Sequence, residues 1–538
     1  MSKAPWGDSS PEDQLFVLVT GANREIEQRG QEQLYQAHMR KERNTDISYN
    51  LSGIGLGIGQ RFIDEFAAIY PSPTTHLTLI TTTRTAAKSH ATTKALRRYL
   101  DQQEDGARVT NQKRTLFPNR IHLASIELDL CNLPSVYAAA ERLKSEPIEI
   151  VTGLTPSVAP TASPSGPPVP AVIPRLDSVI FNAGIGGWTQ LNWSNLVKSF
   201  FASGFVHATT FPTCKDATGG LLVDPLTGKE VKGVAESDAV ELANKQGTTV
   251  LGQVFCANVF GHYLFAHELL PLLSTGSASA VTGPLKGSAK GPAARIIWES
   301  SIESMCWKYL SMDDFQGVGT ITAYESSKRL TDLLSLTADL DGVKAYSASF
   351  FEGDSKDEKS KAPIIVPPAT YVTHPGIVCS TLFPLHWIIF YLYQLGMYIS
   401  RVFGSPWHPV TPYKGAAAAV WVALQEQPAL DVLDARHVKW GAGTTWTGSP
   451  IVKRTEVEGW GWRGKVNEEQ YRGDKQTDPL VNTFRTSYLR NSLGRREDSV
   501  ALTAERRQEF EVLGRDCWRE MERLRLEWDA KVRKIIGR

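Results

Sequence analysis

Only six cysteines occur in 538 residues, at 131, 214, 256, 306, 379 and 517, and none forms a CxxC pair. That scarcity excludes a disulfide framework and a thiolate metal site, and the six read as reduced thiols facing cytosol. Charge imbalance is equally scarce: 58 Lys and Arg against 57 Asp and Glu give a formal net charge of +1, so nothing global points to nucleic acid. The opening stretch MSKAPWGDSSPEDQ has no apolar core of the kind a secretory signal needs. The apolar run at 385–403, LHWIIFYLYQLGMYISRVF, is slightly short for a membrane span and carries Gln394 and Arg401.

What the chain does have is a 42% hydrophobic content and short β-branched runs that alternate with helical patterns. Alternation of this kind is the signature of βαβ units around a parallel sheet. Strands are predicted at 15–20, 76–82, 121–129, 176–181, 295–300, 369–374 and 436–440. Seven strands make an α/β, Rossmann-type doubly wound sheet in one enlarged domain, 15–450, after a tail at 1–14. Four segments, 24–51, 151–174, 203–249 and 351–362, read as insertions outside the compact core, the second being rich in Pro, Ser and Thr. An extension at 451–538 follows and ends in a charged helix, with Phe510, Val512, Leu513, Trp518, Leu524 and Trp528 as its apolar positions. It reads as an arm packed on the surface.

At the first strand end the chain reads TGAN, and SGIG resumes at Ser52. With the 28 residues 24–51 set aside, Thr20 and Gly21 join Gly53, Ile54 and Gly55 as TGxxxGxG. The glycines would permit a tight strand-to-helix turn and close approach of backbone to a pyrophosphate. The following helix offers unsatisfied N–H groups to phosphate, and its apolar residues Ile58, Phe62, Ile63 and Phe66 share one face. The intervening 28 codons are in frame, so a translated intron accounts for them; otherwise they bulge out while the glycines converge. At the second strand end TTTRTAAK places Thr83, Arg84 and Lys88 where an NAD enzyme carries a carboxylate. Positive charge there suits a 2′-phosphate and hence NADP(H).

AYESSK sets Tyr324 and Lys328 four apart, on one face of a helix. A YxxxK spacing arises by chance on the order of once in a chain with 16 Tyr, so its place after the strand RIIWESS gives it weight. Together with Asp129, FNAG from Phe181 to Gly184, Asn258 in FCANVFGHYLF, Ser301, and HPGIVCS from His374, these motifs resemble the short-chain dehydrogenase/reductase family. The resemblance implies that Tyr324 is the general acid, and that Lys328 lowers its pKa and holds the nicotinamide ribose. Ser301 would bind the substrate oxygen and Asn258 would position a water. Asp129 would meet the adenine, Asn182 the adenosine ribose region, and Val378 the carboxamide, with Ser380 at the position usually held by Thr. Ser301 precedes Tyr324 by 23 residues, a longer interval than the family usually shows, so Ser300, Ser304 and Ser311 also satisfy the spacing.

The stretch SMDDFQGVGTITAYESSKRLTDLLSL, with RVFGSPWHPVTPYKGAAAAVWVAL, VEGWGWRGK and CWREMERLRLEW, is similar to the fungal 3-ketosteroid reductase branch of that family. That likeness implies NADPH-dependent reduction of a 3-keto sterol to the 3β-alcohol during C-4 demethylation in ergosterol synthesis. It also implies an endoplasmic reticulum membrane, on its cytosolic face, or a lipid droplet as location, with other C-4 demethylation enzymes as partners. The apolar segment at 382–404 fits either a helix lying at a membrane surface or a lid over the substrate. A reductase of another lipid ketone, and a silent scaffold subunit whose interrupted loop binds no cofactor, are the alternatives.

Overall fold

A computed structural model describes residues 4–22, 53–109, 118–152, 168–212, 215–274, 294–352, 367–379, 387–466 and 500–537. Its centre is a ten-stranded sheet. The strands are β1 (Gln14–Val19), β2 (His76–Thr83), β3 (Ile121–Glu127), β4 (Ile148–Thr152) and β5 (Val169–Ala171), then β6 (Ser178–Phe181), β7 (Arg295–Glu299), β8 (Ala369–His374), β9 (Lys439–Thr444) and β10 (Pro450–Thr455). They lie in the order β10-β9-β8-β7-β6-β1-β2-β3-β4-β5. The seven from β9 to β3 are parallel. At the edges, β10, β4 and β5 run antiparallel to their neighbours. Chain order reverses between β1 and β6, and a sheet wound this way opens a crevice at its carboxyl edge there.

Each central strand is covered on both faces, which is why β1 reads QLFVLV and is buried throughout. The helices are α1 (Ile54–Ile69), α2 (Ala86–Val109), α3 (Leu133–Ser145), α4 (Gly261–Glu268), α5 (Ala323–Thr337), α6 (Trp387–Val402), α7 (Ala417–Leu424) and α8 (Ala504–Ile535), of which α6 packs apart from the sheet with Trp407 and Val410. Side chains alternate between the layers. Leu15, Val17 and Val19 pack with Ile58 and Phe62 of α1, Leu96 of α2 and Val420 of α7. Phe16 and Leu18 pack in the opposite layer with Val136 of α3, Leu264 of α4 and Leu330 of α5.

The seven predicted strands are the seven parallel ones, with shifted ends. The last begins at Lys439 rather than 436 because Ala435–His437 is a 3-10 turn. Three expectations need correction. The segment 151–174 is not all solvated loop, since β4 reaches Thr152 and β5 extends the sheet edge, while 153–167 fall outside the described residues. The segment 203–249 is largely ordered as two helices and three short strands, with Leu222, Ala239 and Ala243 packed together and Val223 joining the main core. A boundary at 450 would cut the β9–β10 hairpin. Most of 351–362, and residues 24–51, lie outside the described residues.

Helix α8 is also no surface arm. Phe510, Gly514, Cys517, Trp518, Met521, Leu524, Trp528 and Val532 recur every three or four residues and are buried. Val512, expected among its apolar positions, faces solvent. A side chain at Gly514 would place Cβ 2.5 Å from Thr337 Oγ1, so only glycine lets α8 lie this close to α5. The helix completes the core layer behind the Tyr324 helix. Accordingly Trp528→Ala should lower the free energy of unfolding by about 3–5 kcal/mol, as for other buried tryptophans. A denaturant midpoint that scarcely moves would return α8 to the status of an accessory.

Candidate active site

At the carboxyl end of β1 the backbone turns so tightly that it leaves no room for side chains. Gly21 has φ +71°, and a Cβ on it would lie 2.6 Å from Ala183 Cα. One on Gly55 would lie 2.5 Å from Gly21 O and 2.8 Å from Ala22 Cα. Gly53 caps α1, Ile54 opens it, and the two halves of the interrupted motif therefore converge. Thr20 fixes the turn: its Oγ1 accepts from the backbone N–H of Asn182 (3.0 Å) and Ala183 (3.1 Å). Asn182 Nδ2 in turn donates to Thr20 O at 3.0 Å and Gly21 O at 3.2 Å. Both Gly21 N and Ala22 N donate to Thr82 O at 3.1 Å, tying the turn to β2.

Around this cradle, Thr83 Oγ1 meets Ser89 Oγ at 2.8 Å, and Arg84 stands exposed just past β2, with Lys88 in the first turn of α2. Asp129 follows β3, and its Oδ1 accepts from Cys131 N at 3.0 Å. A Cβ on Gly228 would lie 3.1 Å from Asp129 Oδ2, so a turn of the segment expected as an insertion covers this carboxylate. Val378 bridges to Val410, a β-branched residue held at φ +68°. Ser380 lies outside the described residues.

The reacting groups gather where β7 ends against α5. Ser301 is the serine brought onto Tyr324, whose hydroxyl hydrogen-bonds its side chain. The other candidates are committed elsewhere: Ser300 Oγ donates to Lys328 O, Ser304 Oγ meets Asp332, and Ser311 is exposed. Loss of hydration pushes the Tyr324 phenol up, and the nearby Glu303 carboxylate adds to it. Lys328 does not offset this, because its Nζ donates to Glu299 O at 2.7 Å, and burial lowers its own pKa to about 8. Contrary to the expected lowering, burial keeps the phenol protonated, the state in which it can donate a proton.

Asn258 sits in a π-helical turn, Cys256–Phe260. Its amide accepts from Ile185 N at 2.8 Å and donates to Ile185 O and Ser327 Oγ, each at 3.0 Å. It thus clamps the FNAG strand end to α5. Its backbone carbonyl meets His262 Nδ1 at 3.2 Å, and His262 Nε2 meets Thr20 Oγ1 at 2.9 Å. A carbonyl only accepts, so Nδ1 carries the ring proton and Nε2 accepts from Thr20. Burial holds this imidazole neutral, with its pKa lowered to about 3.

A scan against protein-family models finds no match. Among curated proteins, a 3-keto-steroid reductase ERG27 of Gibberella zeae is 39% identical over 532 residues, covering 98% of this chain and 96% of its own. One from Aspergillus fumigatus is 34% identical over 96% of this chain and 94% of its own. The Saccharomyces cerevisiae protein of that name is 30% identical over 53% of this chain and 63% of its own. The chain belongs to the 3-keto-steroid reductase family. It is an oxidoreductase.

Sequence reasoning missed part of this reductase's site. A two-stranded flap, Trp188–Leu191 with Lys215–Ala217, sets Trp188 against Tyr324 at 4.9 Å between ring centroids. Lys215 Nζ lies 4.2 Å over the Trp188 ring and pairs with Glu303. Glu325 is pushed up to about 7 by loss of hydration and then by Glu303. Lys215 escaped notice because it belongs to the segment taken for an insertion. Ser301→Ala should reduce kcat on a 3-keto sterol by about a hundredfold, as loss of an oxyanion donor does. Ser311→Ala should stay within about twofold on the same scale, and equal losses would deny Ser301 its place.

Proposed function

We propose that the chain reduces the 3-keto group of a sterol to the 3β-hydroxyl with NADPH, in the C-4 demethylation steps of ergosterol synthesis. The observation that carries this reading is the end-to-end likeness to proteins named 3-keto-steroid reductase. It comes together with a Ser301, Tyr324 and Lys328 centre at the sheet's carboxyl edge.

The residues fit a dinucleotide. The Gly21 and Gly55 cradle has room for backbone alone, so a pyrophosphate can approach N–H groups at the start of α1. Thr20, Gly53, Ile54 and Asn182 shape that cradle, Thr83 and Asp129 would flank the adenosine, and Val378 would meet the nicotinamide end. Arg84 and Lys88 would hold a 2′-phosphate, which favours NADP(H). When bound, the reduced nicotinamide supplies the hydride. Ser301 donates to the ketone oxygen and Tyr324 gives it a proton, so the carbonyl becomes an alcohol. Lys328 restores charge balance beside the phenolate that remains.

The substrate is apolar, and so is one face beside the site. Among the described residues no helix is long and apolar enough to cross a membrane. Yet Leu392, Leu395, Val402 and Phe403, on or just past α6, are exposed, and Phe201 nearby is 89% exposed. Gly396 of α6 lies against Phe205, and Ser400 Oγ meets Thr209 Oγ1 at 2.7 Å, so both helical segments form one surface. We assign this surface to a lipid interface, at the cytosolic face of the endoplasmic reticulum or a lipid droplet, beside other C-4 demethylation enzymes.

Two experiments test the reading. NADPH oxidation with a panel of ketones should be confined to 3-keto sterols, and Arg84→Glu should raise KM for NADPH about tenfold while leaving NADH use nearly unchanged. Turnover of retinoid or acyl ketones alone would remove the sterol assignment. In flotation with phosphatidylcholine and phosphatidylserine vesicles, the full chain should rise with lipid, and a Leu392→Glu, Leu395→Glu variant should stay behind. Equal flotation of both would point to some other anchor.

A further inference from the structure

Beneath the reaction centre lies a second set of charged groups that the chemistry above does not use. Lys439 on β9 and Asp332 on α5 are both 0% exposed and meet at 2.7 Å. A buried ion pair is a poor device for stability, because well-packed apolar residues of similar volume do as well or better. This one is poorer than most, since Asp332 Oδ1 has no hydrogen-bond partner. What distinguishes the pair is where the ammonium protons go. Besides Asp332 Oδ2, Lys439 Nζ donates to Ser304 Oγ and to the backbone carbonyl of Ser301, each at 2.6 Å.

We propose that Lys439 and Asp332 form a positioning pair that aims Ser301 at the substrate oxygen. This rests on Ser301, Tyr324 and Lys328 being the reaction centre. β7 ends at Glu299, and Ser301, at φ −142°, caps the 3-10 turn Ile302–Met305. Past the strand end, the Ser301 carbonyl has no partner in the sheet. Lys439 Nζ and, at 2.8 Å, Ser304 Oγ take that place. Ser304 has one hydroxyl proton for two acceptors, Ser301 O and Asp332 Oδ2 at 2.7 Å, and its backbone N–H reaches Ser301 O only at 3.4 Å, so Lys439 is the closest donor to the carbonyl. Fixing that carbonyl fixes the peptide from which the catalytic hydroxyl projects. The same elements hold the preceding residues: Ser300 Oγ donates to Lys328 O, and Lys328 Nζ to Glu299 O. The turn is thus held from α5 and from β9 at once.

The pair also acts on Lys328 through charge. The groups facing that ammonium are Glu299 from β7, Lys439 from β9, His262 from α4, and Tyr324 and Asp332 on α5 itself. Asp332 raises the Lys328 pKa and Lys439 lowers it. The two oppose each other, and removing either one leaves the other's effect unopposed.

Lys439→Met alone leaves a carboxylate buried without its partner, which threatens folding. The decisive variant is therefore the double Lys439→Met, Asp332→Asn, with Asp332→Asn and Ser301→Ala beside it. For the full chain, kcat and KM would be measured against pH, together with the denaturant midpoint. The double variant should fold with a midpoint near that of the parent, lose about tenfold or more in kcat, and keep its KM for NADPH within about twofold. In Asp332→Asn the alkaline fall in activity, set by Lys328 near pH 8, should move to lower pH because a charge that favours the ammonium is gone. A double variant with parental kcat, while Ser301→Ala is inactive, would overturn the positioning role alone. Full activity in Ser301→Ala would overturn both the role and the reaction centre beneath it.

Discussion

Where β7 stops, its last carbonyls lose the sheet, and the rest of the site follows from how they regain partners. Glu299 O takes Lys328, and Ser301 O takes Lys439. A side chain from α5 and one from β9 thereby do the work of a missing strand, and both are positively charged. Buried carbonyls cannot be left bare, since each would cost about 1–3 kcal/mol. Satisfying them with ammonium groups brings charge into a place that would otherwise be apolar. Glu299 is pushed up to about 7 by burial, and Lys328 is lowered to about 8 by the same cause. Satisfying the backbone and setting the proton chemistry are one arrangement here.

Two regions that read as detours in the chain are parts of the site's walls. The 203–249 segment contributes the flap strand with Lys215 and a turn that lies over Asp129 through Gly228. Helix α8 backs α4 and α5: Tyr263 donates to Glu522 at 2.6 Å, and Trp518 packs beside the same tyrosine. The walls of the pocket are thus drawn from sequence far outside the minimal βαβ frame. A longer chain has not become a second domain but a thicker shell around the first.

The seven parallel strands, the glycine turn and the Tyr324 and Lys328 pair were legible because each rests on local chemistry: aliphatic runs, small residues and a helical interval of four. What stayed hidden depends on partners distant along the chain. Nothing near Lys439 distinguishes it from an ordinary strand lysine, and its role appears only when Ser301, 138 positions earlier, is seen beneath it. His262 reads as one more residue of an apolar helix until Thr20 is placed on its far nitrogen. Proline- and serine-rich composition at 151–174 masked β5, a strand of three residues with proline at its middle, tolerable because it lies at the sheet's outer edge. Among the four serines, spacing alone favoured none. The bend after β7 separated them by turning one toward Tyr324 and two toward Asp332 and α5.

A Cβ on Gly55 would lie 2.8 Å from Ala22 Cα, so the two halves of the phosphate cradle touch directly although they stand far apart in the sequence. The cradle is thereby held closed by contact between its own two halves, backbone against backbone, with no room for a Cβ on Gly55.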